Sequence, residues 1–177
     1  MAAPGFRTVL ALGAALTVAV ACSSGASPTP AASSASGTQT GMGFTADALC
    51  ALVTPAEMSA ALGRSVGPGV PSGVNAPSCS WQANDASGAT IAATDPGSVG
   101  QIPFGMQGIP GAHVTAVPGL GDSAYFASGS SGTTAELDIT KGGRAITITV
   151  GIADPNTTQA QQEAAEQAIG VAAAKRM

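Results

Sequence analysis

Between Arg144 and Ile152 the chain alternates: Ile146, Ile148, Val150 and Ile152 take every second position, with Thr147, Thr149 and Gly151 between them. Period-two alternation marks a strand with one buried face, because successive side chains leave opposite sides of a pleated backbone. Lys141-Gly142-Gly143-Arg144 is a tight turn into this strand, so Thr134 to Thr140 reads as its antiparallel neighbour. His113 to Val117 and Ser123 to Ala127 have strand composition as well. Upstream, Cys79-Ser80-Trp81-Gln82-Ala83 puts Cys79 and Trp81 on one strand face; Asn84 to Gly88 is a turn, and Ala89 to Thr94 is the hairpin partner.

Helical signals flank this run of strands. Thr54-Pro55-Ala56-Glu57 is a strong helix start: Thr54 can cap, Pro55 suits the first turn, and Glu57 completes a capping box. Val53 and Met58 stand at the two positions of a hydrophobic staple, and Gly63 supplies the stop. Ala46 to Val53 reads as one or two further helical turns, with Cys50 just ahead of the capped helix. Thr158 to Lys175 has helix composition, with Ala165, Ala168, Ile169 and Ala172 as its apolar stripe. Lys175 and Arg176 lie near its negative end, and Glu163 and Glu166 read as its solvated face.

Gly67 to Pro77 and Asp95 to Gly111 are rich in Gly and Pro and read as loops. The second carries one short helical turn at most and exposes Phe104 and Met106. The sum is an α+β fold over residues 44–177, a single domain with a mostly antiparallel sheet of about five strands, an N-terminal helix and a C-terminal helix. Ala and Gly dominate it, so the expected core places small side chains around Leu49, Leu52, Met58, Leu62, Trp81, Ile91, Leu137, Ile146 and Ile148.

The first 43 residues follow another logic. After Arg7, Thr8 to Ala21 runs without a charge. As a helix this would span roughly 21 Å, short of a ~30 Å bilayer core, which makes it the apolar region of an export signal over residues 1–21. A single arginine, with no Arg-Arg pair, favours the general export route. Ala19-Val20-Ala21-Cys22, followed by Ser23-Ser24-Gly25, resembles the lipobox of bacterial lipoproteins, although that family prefers Leu where Ala19 stands. The resemblance implies that Cys22 is lipidated on sulfur and becomes the new amino terminus, anchored by a diacylglyceryl group. The alternative is an ordinary signal cut near Ala21 that leaves a free thiol. Ser23 to Gly43 is Ser, Gly, Ala, Thr and Pro apart from Gln39 and Met42, without charge, and reads as a disordered tether that is also compatible with O-glycosylation. As a flexible coil of about twenty residues it has an r.m.s. span near 25 Å. The expected location is the outer face of a bacterial cytoplasmic membrane.

Charge narrows the partners. The 177-residue chain carries −4, and loss of Arg7 with the signal leaves −5. With no Lys/Arg cluster and six aromatic residues in all, nucleic-acid binding is excluded as a reading, since phosphate neutralisation supplies much of that affinity. Three cysteines are awkward in an exported protein; assigning Cys22 to lipid leaves Cys50 and Cys79 as a pair. In an oxidising compartment that pair favours a disulfide, whose loop of about thirty residues is worth roughly 3.5 kcal/mol in the chain-entropy model. A redox-active or metal-binding pair is the alternative, but there is no Cys-x-x-Cys and one histidine.

Cys50-Ala51-Leu52-Val53-Thr54-Pro55-Ala56-Glu57, then Leu62-Gly63, Cys79-Ser80-Trp81 and Gly119-Leu120-Gly121-Asp122-Ser123-Ala124, resemble a broad group of actinobacterial (mycobacterial-type) small lipoproteins and secreted proteins of unknown function. The likeness covers Ala46 to Lys175. It implies a small α+β domain with a disulfide, and no activity, since that group has no established catalytic residues to carry over.

Other chemistry is weakly signalled. Gly121-Asp122-Ser123 near His113 lacks the Gly-x-Ser-x-Gly of hydrolases and reads as a turn in which Asp122 bonds its own backbone. Gly119 to Ala124, with Asp138 about twenty residues on, fits a dinucleotide fingerprint, but strand composition follows where a helix is needed. His113 reads as a strand-edge or surface histidine. Asp85, Asp95, Asp122 and Asp154 read as turn residues, and Asn156-Thr157-Thr158 matches a sequon that a bacterial lipobox makes irrelevant. No catalytic residue, metal ligand or cofactor is expected. Two roles follow from apolar residues in a Gly-rich loop. One is a non-catalytic envelope module that binds a protein or cell-wall partner through a sheet face or the Asp95 to Gly111 loop. The other is a carrier or sensor of a small or lipidic ligand, in a cleft walled by Trp81, Phe104, Met106 and Ile109. Replacing Cys22 by Ser is expected to move the protein from the membrane pellet to the soluble fraction; unchanged partitioning on fractionation would contradict the anchor.

Overall fold

The computed structural model describes residues 43–73, 76–129 and 135–177; the export segment, Cys22 and the tether up to residue 42 lie outside the described residues. The alternating segments pair as expected. β1 (Val70–Ser72), β2 (Ser78–Gln82), β3 (Gly88–Thr94), β4 (His113–Ala116), β5 (Ser123–Ser128), β6 (Ala135–Lys141) and β7 (Arg144–Gly151) form one antiparallel sheet in the order β1-β2-β3-β7-β6-β5-β4. Register holds Cys79, Ile91, Ile148, Leu137 and Phe126 side by side across the sheet. Ile146 and Ile139 extend this face on one side, and Trp81, Ala89 and Val150 on the other; all are buried.

Helices α1 (Ala46–Cys50), α2 (Pro55–Leu62) and α4 (Gln159–Ala174) contribute to that apolar core. Thr54 and Glu57 form the expected capping box, and Gly63 ends α2 in the left-handed region at φ 67°, which glycine reaches without steric cost. Thr158 and Gln161 make a second box at the start of α4. Its last carbonyls are met by Arg176, which donates to Ala172 O at 3.3 Å, and by Lys141 Nζ at Ala174 O. Arg176 also donates to Leu52 O and pairs with Glu57 at 2.9 Å, so the chain end clamps α2. Cys50 and Cys79 lie at disulfide distance, with Cα atoms 5.1 Å apart, and join α1 to β2. All nine side chains expected in the core are buried.

Several details depart from expectation. The sheet has seven strands rather than about five: all six segments read as strands pair into it, and Val70–Ser72, inside the segment read as a Gly/Pro loop, adds a seventh by pairing with Ser78–Ser80 at the sheet edge. Pro71 is tolerated there, since an edge strand leaves half its backbone groups unpaired in any case. Asp95 to Gly111 is mostly not loop: α3 (Pro96–Gly105) occupies ten residues of it. On α4 the stripe is rotated from the expected one, with Ala168 exposed and Glu166, Gly170 and Ala173 buried. Gly170 explains this: a Cβ there would lie 2.9 Å from both Leu137 and Ile139 side chains, so glycine lets the helix backbone rest on β6.

That close approach carries Glu166 into the core instead of onto the solvated face. Its Oε1 accepts the Val150 N–H at 3.1 Å, one residue beyond Thr149, where the described pairing of β7 with β6 ends. Oε2 has no partner among the described residues, and neither does the buried indole N–H of Trp81. Burial raises the Glu166 carboxyl from 4.5 to about 8, with Glu163, Glu136 and Asp138 adding repulsion against the lowering effect of Val150 N–H. A carboxyl that holds its proton more tightly when folded favours folding at low pH, and this advantage is lost as pH rises from 4.5 to 8. Glu166→Gln, which mimics the neutral acid, should therefore flatten the decline of unfolding free energy between pH 5 and pH 8, a decline of ~2 kcal/mol or more in the parent at ~1.4 kcal/mol per pKa unit. Urea titrations at both pH values check this; parallel pH profiles would refute it. In the same assay, reductant should lower stability by ~3 kcal/mol through loss of the Cys50–Cys79 link.

Candidate functional site

The second face of the sheet is polar and, among the described residues, largely uncovered. Alternation puts Ser80, Thr90, Thr149, Glu136 and Ala127 in one cross-strand row, and Ala92, Thr147, Asp138 and Tyr125 in the next. α3 is the helix that packs on this side, against β5, β6 and β7. Asp95 caps it, its Oδ1 accepting the N–H groups of Gly97 and Ser98, and Pro96 stands in its first turn. Pro96, Val99, Ile102, Pro103 and Met106 recur every three or four residues and form its less exposed side, with Val99 fully buried.

Between α3 and the sheet runs a groove of about 960 Å³, within the size range of small-molecule sites. It exists because both walls carry small side chains. The sheet contributes Thr94, Thr147 and Ala127, and α3 contributes Gly97, Ser98 and Gly105, while Ile102 and Met106 form its apolar wall. Glu136 and Asp138 also line it, from β6.

Asp138 is the unusual member. It lies mid-strand and is 6% exposed. Thr147, directly opposite on β7, donates its hydroxyl to Oδ1. Burial pushes the Asp138 carboxyl above the ordinary carboxylate range, the Thr147 hydrogen bond opposes this, and nearby Glu136 adds to the rise.

The residues expected to wall a cleft are not brought together. Met106 lines the groove. Trp81 is 2% exposed and faces the core from the other side of the sheet. Phe104, 66% exposed, and Ile109, 45% exposed, lie outside the groove lining. His113 pairs with Ser128 at the start of edge strand β4, and alternation points it to the face opposite Ala127. Asp85, Asp95 and Asp154 accept nearby backbone N–H groups, as expected of turn residues; Asp122 instead accepts the Gly142 N–H across the β6–β7 turn at 2.8 Å. Among the described residues there is no group of three or more metal-ligating side chains.

Sequence reasoning missed Asp138 and Glu136 as site residues. One signal was available: two carboxylates at alternate positions of an otherwise apolar strand, Ala135-Glu136-Leu137-Asp138-Ile139, must share the face that Leu137 does not use. Comparison with known protein families, with curated proteins and with solved structures finds no match to this chain.

Proposed function

We propose that this chain is a lipid-anchored envelope protein that binds a small ligand, without transforming it, in the groove between α3 and the polar face of the sheet. The groove carries the reading: it is concave, several hundred Å³ in size, and combines an apolar wall with a few convergent polar groups. Export and lipidation at Cys22 are supported by the charge-free segment Thr8 to Ala21 and by Ala19-Val20-Ala21-Cys22. A Cys50–Cys79 disulfide formed in the oxidising space outside the cytoplasm suits both. The likeness of Cys50 to Glu57 and Cys79 to Trp81 to the actinobacterial lipoproteins supports the same placement. A binding role also fits the geometry of the titratable groups, since His113 faces away from the groove carboxylates.

Exposure of Phe104 and Ile109 on and beyond α3 favours a second reading, docking of an envelope protein or cell-wall polymer on the outer side of that helix. Native mass spectrometry of the full-length protein extracted from its own membrane separates the two. The first reading expects a small-molecule adduct that disappears in Ala127→Trp, whose indole fills the groove, while the melting temperature stays within a few degrees. An adduct-free spectrum for both proteins, together with a partner trapped by a photocrosslinker at position 104 in intact cells, would replace it with the second.

A further inference from the structure

We infer that the groove is built for a ligand that carries a protonated amine on an apolar body, with the amine seated against Asp138 and Glu136. This rests on the reading of the groove as a ligand site and specifies its chemistry. Burying a carboxylate costs free energy unless a donor or a counter-charge offsets it, and a buried position mid-strand would be cheaper as Val or Ile. Asp138 occupies such a position with one hydroxyl donor, Thr147, a neutral group.

Every charged group that faces Asp138 raises the same need. Glu136 stands two residues away on the same strand face, and Glu166, whose burial favours its neutral form, reaches the far side of the sheet from α4 and supplies no counter-charge. Asp95 stands in the groove wall where α3 begins. Among the described residues no Lys, Arg or His lines the groove. Other basic side chains are engaged elsewhere: Arg144 of β7 stacks on Phe44 at 4.8 Å, Lys141 of β6 reaches Ala174 O, and Arg64 pairs with Asp85. The field in the groove is therefore negative. An anion would be repelled, and a neutral ligand would leave Asp138 uncompensated. A cation would make a charge-assisted hydrogen bond to a carboxylate already shielded from water. Ile102, Met106 and Ala127 offer the apolar contact for the rest of the molecule.

The test uses a matched probe series: 2-phenylethylamine, 2-phenylethanol and phenylacetate, titrated at pH 7 against the full-length mature protein in nanodiscs. Empty nanodiscs supply the partition correction. Methyl NMR signals of Ile102, Met106 and Ala127 report occupancy, since Trp81 lies on the other face. The expected result is an amine affinity about tenfold or more above that of the alcohol, with no binding of the acid. Asp138→Asn should remove most of the amine's advantage over the alcohol and leave the alcohol unchanged. Glu136→Gln, at an exposed position, should weaken the amine several-fold, and it keeps the test decisive if Asp138→Asn does not fold. Equal affinity for amine and alcohol, or preference for the acid, overturns the inference while leaving a ligand groove in place. Failure of all three probes to shift the groove methyls overturns the ligand site itself.

Discussion

One constraint organises the molecule: β3, β7, β6 and β5 must alternate in phase, so that Ile91, Ile148, Leu137 and Phe126 share one face. Slippage of any strand by one residue would turn its whole apolar set to the other side. The same phase decides what the opposite face becomes. With the large aliphatic side chains all on the helix side, the other side receives Thr90, Thr147, Thr149, Asp138 and Glu136. Core and candidate site are thus two consequences of a single register.

The two faces also meet electrostatically. Glu166 reaches the sheet from α4 and Asp138 stands on the other side, and both are held above the usual carboxylate range by burial. Asp138 adds repulsion to Glu166's surroundings, so a counter-charge at Asp138 would be felt across the sheet. At the surface the carboxylates behave in the opposite way. Arg176 and the Thr54 cap hold Glu57 at about 2, and hydrogen bonds from Ser87 hold Asp85 low, with help from Arg64. Their stabilising contribution is present above the usual carboxylate range and is lost as pH falls through their folded values. Surface and core carboxylates therefore push the pH dependence of stability in opposite directions.

Small residues shape the groove as much as polar ones. Ala127 on the sheet and Gly97 and Gly105 on α3 leave open the space that larger side chains would close. Gly170 does the reverse on the helix face, where it brings α4 into close contact with β6. A sequence rich in Ala and Gly can thus build tight packing on one side of its sheet and a cavity on the other.

The identity of β2 to β7, the cap at Thr54 and the nine named core positions were legible in the chain because each is encoded locally, by period-two alternation or by a side chain bonded within one turn. The cysteine pair was legible by counting. What escaped depends on neighbours distant in sequence. β1 forms because β2 offers it an edge, and α3 forms despite Gly97, Gly100 and Pro103 because Val99 finds the sheet to pack on. Glu166 illustrates the same division: its helix was readable, but whether the side chain met water or the core was set by how α4 and the sheet came together. The sequence by itself determined the period of each element and hence which residues share a face. Tertiary packing alone decided which faces were covered, because burial is a property of what lies opposite, and no local pattern contains that.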